Sequence, residues 1–156
     1  MNVAIVVSFP SNMNGFWRGA LCRLATLLML CVSSLCHAGT AVIGHESLHD
    51  IDMDRTAVGR IYTGRTVQVA GIGVQPVNLK VGDAKRASFL GTVLQQSDDD
   101  YVAYWIVRHA IGKGTPPPEV DNPQAVINFV RSTKGAIGYI DEADLVPGLN
   151  VLLILP

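Results

Sequence analysis

Cysteine is scarce in this sequence, and none of it follows residue 36. The three cysteines, Cys22, Cys31 and Cys36, all precede the region that we predict to fold. That region therefore has no disulfide framework and no thiol nucleophile, so packing alone must stabilise it. A Gly-x-Ser-x-Gly nucleophile elbow is also missing, which removes another common route to hydrolysis. We predict a protein that has no catalytic residues, needs no cofactor and is not an enzyme.

Charge of one sign is not in excess either. The chain has 12 Lys and Arg against 13 Asp and Glu, and no basic stripe is visible. Removal of residues 1–38, which contain Arg18 and Arg23, leaves ten basic against thirteen acidic residues, a net charge of about −3. Nucleic acids and anionic membranes attract basic proteins, so this balance favours neither as a partner.

The N-terminal region differs from the rest of the chain. Residues 21–35 are mostly apolar, follow Arg18, and end at Cys36-His37-Ala38. A positive start, a short apolar core and an Ala-type cleavage site are typical of a signal peptide. Past Arg23 the core is about a dozen residues, shorter than the ~20 that span a membrane. We predict a signal peptide at 1–38, translated from Met1 or Met13, and a periplasmic or secreted product with no stable membrane span. A retained anchor is the alternative.

Residues 39–156 suffice for one domain with a single core. The expected elements are a strand at 41–44, a helix from Asp54 to Gly64, a hairpin or bent strand over 66–79, helices opened by Asp83, Ser97 and Asn122, and strands at 136–140 and 151–155. Pro76 cannot donate a ladder hydrogen bond, which indicates a sheet edge. This order predicts a small α/β sandwich with a mixed sheet.

Two helical faces follow from the spacing of apolar residues. On the helix after Asp83, one face carries Ala87, Leu90 and Leu94. On the next helix, one side is shared by Val102, Trp105, Ile106 and His109.

Several segments resemble phosphate ABC-transporter substrate-binding proteins. Residues 54–65 are similar to the helix L-S-x-x-x-L-x-x-I-F-x-G-K of that group. Residues 134–140, Lys-Gly-Ala-Ile-Gly-Tyr-Ile, match its strand x-G-A-I-G-Y-V. Other matching positions follow in the same order, namely Val77-Asn78-Leu79, Arg86, Phe89, Tyr104-Trp105 and 112–117. The resemblance covers essentially all of 39–156.

This resemblance implies one lobe of a type 2 periplasmic binding protein. It also implies phosphate or a similar small anion as ligand, with an ABC permease or another envelope protein as a further partner. The group's proteins have two lobes, however, and 118 residues make about one. Their Ser-Gly-Thr phosphate loop is replaced here by residues 78–83. A lobe that lost its ligand and serves as an envelope interaction module is the alternative.

An oxyanion site needs helix N-termini, hydroxyl groups and an arginine fork, because these offer several donors to one anion. Asp83 would repel a phosphate if it pointed into the site. Each candidate could also be an ordinary cap or surface residue. The candidate ligand-binding residues are Ser47, Asn78, Arg86, Lys113, Gly114 and Thr115.

The segment His45-Glu46-Ser47-Leu48-His49 spells the zinc-protease motif H-E-x-x-H. That chemistry needs both imidazoles on one face of a helix, with the glutamate as general base. The apolar strand ends at Gly44 and the next helix begins near Asp54, which leaves little room for such a helix. We expect a polar loop and no metal, and keep the protease as a remote alternative.

Overall fold

The computed structural model describes residues 39–156, so the predicted signal peptide at 1–38 lies outside the described residues. Within 39–156, no helix is both long and apolar enough to cross a membrane. The strands are β1 Thr40–Gly44, β2 Gln68–Val69, β3 Ile72–Gly73, β4 Gln75–Pro76, β5 Asn78–Leu79, β6 Glu119–Val120, β7 Ala136–Asp141 and β8 Asn150–Leu155. The helices are α1 Arg55–Tyr62, α2 Ala84–Leu94, α3 Asp98–Ala110 and α4 Pro123–Ser132, and 3₁₀ turns cover Glu46–Leu48 and Glu142–Asp144.

The main sheet is mixed, as predicted. Its strand order is β4-β7-β1-β8, with β1 antiparallel to both of its neighbours and β4 parallel to β7. Pro76 lies in β4 at the edge of this sheet, where its missing N–H costs no ladder bond. The short strands β5 and β6 form a separate parallel pair.

Helices cover both faces of β7, because successive residues of a strand point to opposite faces. On one face, α4 approaches so closely that a Cβ on Gly138 would overlap Val126. On the other face, Phe89 of α2 stacks on Tyr139 with ring centroids 3.9 Å apart, and Tyr62 of α1 meets the edge of Phe89. The fold is therefore a three-layer α/β sandwich with β7 in its core.

The predicted helix starts are confirmed by their caps. Asp54 accepts a hydrogen bond from the Ala57 N–H, and Asp83 accepts from the first N–H groups of α2. Ser97 forms a capping box with Asp100 at the start of α3. Asn122 caps α4, with proline at its first position. Each cap satisfies backbone donors that a helix leaves unpaired at its N-terminus.

The predicted face of α2 is correct only in part, since Leu90 is buried and Leu94 is half-buried against the core. Ala87 is exposed, whereas the buried residues are Arg86, Phe89, Leu90 and Val93. Because Phe89 buries a large ring against the sheet, α2 turns that side inward. Arg86 lies one turn before Phe89 on the same face of the helix and is therefore buried as well.

The segment 66–79 is divided into more short strands than the predicted hairpin or bent strand. A hairpin of β2 and β3 turns at Ala70-Gly71, and β4 and β5 follow as separate short strands. Strand β6 was not predicted, because its two residues follow a run of prolines and show no periodicity.

Candidate functional site

Arg86 is the centre of the candidate site. Its side chain is 1% exposed, Nε donates to Asp98 Oδ1 at 2.7 Å, and Nη1 donates to Glu119 Oε1 at 2.5 Å and to the Leu79 carbonyl at 2.7 Å. Desolvation lowers the pKa of Arg86, but hydrogen bonds and charge interactions with Glu119 and Asp98 outweigh it, and the net pKa is raised. The guanidinium is therefore a permanent cation held by two carboxylates.

Asn78 lies beside this ion cluster, in the core. It is 1% exposed, and its Oδ1 accepts a hydrogen bond of 2.6 Å from the Tyr139 hydroxyl. The same hydroxyl accepts from the Leu79 N–H at 3.2 Å. Burial raises the pKa of Tyr139, so the hydroxyl stays protonated and can donate. Tyr139 thereby fixes the orientation of the Asn78 amide.

Replacing Tyr139 with phenylalanine should lower the free energy of unfolding by about 1–3 kcal/mol. The change leaves Asn78 Oδ1 and the Leu79 N–H without these partners in the core. Urea unfolding measures the loss. Tyr104→Phe is the control, because it removes one hydroxyl bond, to the Thr63 carbonyl, from a half-buried ring. Equal losses in the two variants would show that the Asn78 network adds no more stability than the single Tyr104 bond.

Asn78 and Arg86 line one cavity of about 590 Å³, called the Arg86 cavity from here on. Within residues 39–156, neither Asn78 Nδ2 nor Arg86 Nη2 donates a hydrogen bond to another residue. Glu119 and His109 complete the polar lining. The walls are mostly apolar, with Val81, Val102, Trp105, Ile106, Pro116 and Pro117 among them.

The loop Lys113-Gly114-Thr115 lies next to this cavity and not in it. It lines a second cavity of about 340 Å³. Trp105, Pro116 and Pro117 contribute to both cavities. Arg108 holds the loop through a 2.9 Å bond from Nη2 to the Lys113 carbonyl.

Ser47 lies elsewhere, at the start of β7. Its Oγ accepts a hydrogen bond from the Gly135 N–H at 3.2 Å and is 3.0 Å from His45 Nδ1. Ser47 lines neither cavity. Of the six candidate residues, the structure brings Asn78 and Arg86 together, puts the loop 113–115 nearby, and places Ser47 in a different hydrogen-bond network.

Side-chain carboxylates already occupy the turn before α2. Asp83 accepts from the Lys85 and Arg86 N–H groups, and Asp98 Oδ2 accepts from the Gly82 N–H at 2.9 Å. Asp98 therefore binds both a backbone donor of this turn and Arg86 Nε. The sequence analysis did not identify Asp98 and Glu119 as part of the site. The signal that could have indicated such partners is Arg86 itself, one helical turn before Phe89, because a buried cation requires partners of opposite charge.

The residues of the H-E-x-x-H segment do not form a zinc-binding helix. Residues Glu46–Leu48 make a single 3₁₀ turn, in which His45 Nδ1 accepts from the Ser47 N–H. His49 is exposed and contacts Asp50. Two imidazoles share a helical face only across a full α-helical turn, which this segment does not make. Among the described residues, no group of three His, Cys, Asp or Glu side chains could hold a metal ion.

Two solved structures share this fold. A protein assigned as a phosphate ABC transporter substrate-binding protein from Clostridium perfringens, solved with bound phosphate, matches 73% of this chain with a TM-score of 0.58 and 18% identity. An ABC-type phosphate transport receptor from Vibrio cholerae matches 73% with a TM-score of 0.58 and 14% identity. The domain resembles one portion of a type 2 phosphate-binding protein.

The type 2 phosphate-binding fold is matched only in part. This chain covers 44% of the C. perfringens protein and 45% of the V. cholerae receptor, so it spans less than half of either. At these identities the likeness establishes the fold alone. No protein-family model matches the chain, and no curated protein matches it significantly.

Proposed function

We propose that this protein is an exported, non-enzymatic solute-binding protein that captures phosphate or a related oxyanion in the Arg86 cavity. The supporting observation is that two side-chain nitrogens at this cavity, Arg86 Nη2 and Asn78 Nδ2, donate to no residue within 39–156. Both residues are 1% exposed and line the same cavity. Oxygens of a ligand in the cavity would accept from these free donors, and a hydrogen bond from the charged guanidinium is stronger than one between neutral groups.

The local charge limits which oxyanion fits. Arg86 contributes one positive charge, whereas Asp98 and Glu119 contribute two negative charges within hydrogen-bond distance of it. A ligand without a proton would be repelled by these carboxylates. Hydrogen phosphate carries an O–H that Glu119 can accept, while its other oxygens accept from Arg86 and Asn78. Sulfate has no proton at neutral pH, so we expect selection of phosphate over sulfate.

Calorimetric titration tests this function. Phosphate should bind at least tenfold more tightly than sulfate, a difference of about 1.4 kcal/mol or more. Glu119→Gln should reduce this ratio, because it removes the acceptor charge and keeps an oxygen for Arg86 Nη1. Glu142→Gln removes a charge from an exposed site outside the cavity and should leave the ratio unchanged. The absence of heat and of a thermal shift at millimolar phosphate would contradict the proposal.

In the cell, such a receptor would deliver its ligand to an ABC permease or another envelope protein. The predicted signal peptide supports periplasmic or secreted localisation. Recovery of the processed protein from the periplasmic fraction or the medium is the expected result.

A second candidate function, a ligand-free envelope interaction module, is favoured by the surface of α3. Ile106 and Val107 on α3 are exposed, as are Ile111 directly after it and Val81, which lines the Arg86 cavity together with Ile106. An exposed apolar patch, such as the one that Val81 and Ile106 form at the cavity, is typical of interaction surfaces. Capture of an envelope protein that Ile106→Ser abolishes, combined with no response to phosphate, would favour this candidate over solute capture.

A further inference from the structure

We infer that the Arg86 cavity takes an organic oxyanion, namely a phosphate monoester or phosphonate with an apolar or aromatic substituent, in preference to inorganic phosphate. This inference rests on the proposed function, because it keeps the oxyanion at Arg86 and Asn78. It adds a second part of the ligand, which covers the apolar wall of the cavity.

The size of the cavity is the first argument. Its volume of about 590 Å³ lies within the range of about 300–1,000 Å³ that is usual for organic ligands. A water molecule takes about 30 Å³ of liquid volume. A tetrahedral anion of five heavy atoms occupies the volume of only a few water molecules, so it would leave most of the cavity unfilled.

The distribution of polar groups is the second argument. The free donors Asn78 Nδ2 and Arg86 Nη2 are few among mostly apolar lining residues, and Glu119 lies within hydrogen-bond distance of Arg86. Inorganic phosphate has four oxygens, and those directed toward the apolar wall would lose their hydration without gaining a partner. In a monoester the apolar substituent is attached to the oxygen that faces the apolar wall, and in a phosphonate it replaces that oxygen. The remaining oxygens can then face the donors.

The apolar wall is the third argument. Trp105 is buried and offers an indole ring to the cavity, whereas Ile106, which is 64% exposed, and Val81 remain largely open to solvent. Covering such side chains with an apolar substituent is favourable, and an aromatic ring can also pack against the indole. Inorganic phosphate has no apolar surface with which to cover them.

Calorimetric titration of the purified protein with four probes tests the inference. The probes are inorganic phosphate, methyl phosphate, phenyl phosphate and phenol. The titrations are made at about pH 5, because the second pKa of a phosphate monoester is about 6 and each phosphate then keeps an acidic proton for Glu119 to accept. We expect phenyl phosphate to bind at least tenfold more tightly than inorganic phosphate, with methyl phosphate between them and no measurable heat from phenol.

Two neighbouring variants test where the substituent lies. Ile106→Ser should reduce the preference for phenyl phosphate over inorganic phosphate at least threefold. Val107→Ser is the matched control, because Val107 is similarly exposed at 60% but does not line the cavity. It should leave the preference unchanged. An equal effect of the two serines would overturn the placement of the substituent against Ile106.

The other outcomes separate this inference from the proposed function. Equal affinity for phenyl phosphate and inorganic phosphate would overturn the inference and leave the proposed function standing. Binding of phenol as tight as that of phenyl phosphate, or no binding of any phosphate, would overturn both.

Discussion

Replacing Gly135 by alanine should lower the free energy of unfolding by about 3 kcal/mol or more, which is enough to unfold a marginally stable domain. Gly135 has φ of +74°, a conformation that costs strain for a residue with a Cβ. A Cβ there would also overlap the Gly73 carbonyl oxygen, which belongs to the backbone and cannot rotate away. Relief requires a shift between β3 and the start of β7, where the Gly135 N–H donates to Ser47.

Gly82→Ala separates the cost of the backbone conformation from the cost of the steric overlap. Gly82 has φ of +85°, but nothing lies within 4 Å of the position of its Cβ. The Gly82→Ala variant should lose only about 1–2 kcal/mol of its free energy of unfolding, which is the cost of placing a residue with a Cβ in a left-handed conformation. Urea unfolding of both variants, followed by circular dichroism, measures the difference. A Gly135 variant that is no less stable than the Gly82 variant would show that the contact with Gly73 is not restrictive.

Replacing Arg86 by methionine should destabilise the fold by about 3 kcal/mol. Methionine keeps the apolar stem but leaves the Leu79 carbonyl, Asp98 and Glu119 without their shared donor. We place the loss at the lower end of the range for buried ion pairs, because Glu119 is 43% exposed and can be rehydrated. Chemical denaturation of the ligand-free protein measures the effect independently of any binding.

Lys85 offers a matched control one residue away. Its Nζ contacts two carboxylates, Asp141 at 2.6 Å and Asp144 at 2.8 Å, but its side chain is 33% exposed. Lys85→Met should therefore cost about 1 kcal/mol or less. The two variants remove the same number of ion pairs and differ chiefly in burial. Similar losses would contradict the structural importance of the Arg86 cluster.

The helix starts could be predicted from the sequence because their signals are local. Asp54, Ser97 and Asn122 each bond a backbone N–H three residues away, so the pattern is contained in one turn. The edge position of Pro76 was equally predictable, since it follows from a missing donor.

The environment of Arg86 could not be predicted in the same way. Asp98 is 12 residues away and Glu119 is 33 residues away, and only the packing of α2, α3 and β6 brings them together. The sequence identified Arg86 and Asn78 as candidates, but it could not reveal that two carboxylates flank the guanidinium. The position of Ala87 on the buried face of α2 was mispredicted for a related reason, because the stacking of Phe89 on Tyr139 depends on a strand 50 residues later in the chain.

The position of Trp105 between the two cavities gives the protein an internal optical reporter. The chain has two tryptophans, and Trp17 lies in the predicted signal peptide, so the processed protein would contain Trp105 alone. An occupant of either cavity would change the surroundings of this one indole and so shift its emission. Ligand libraries could therefore be screened by intrinsic fluorescence, without a label.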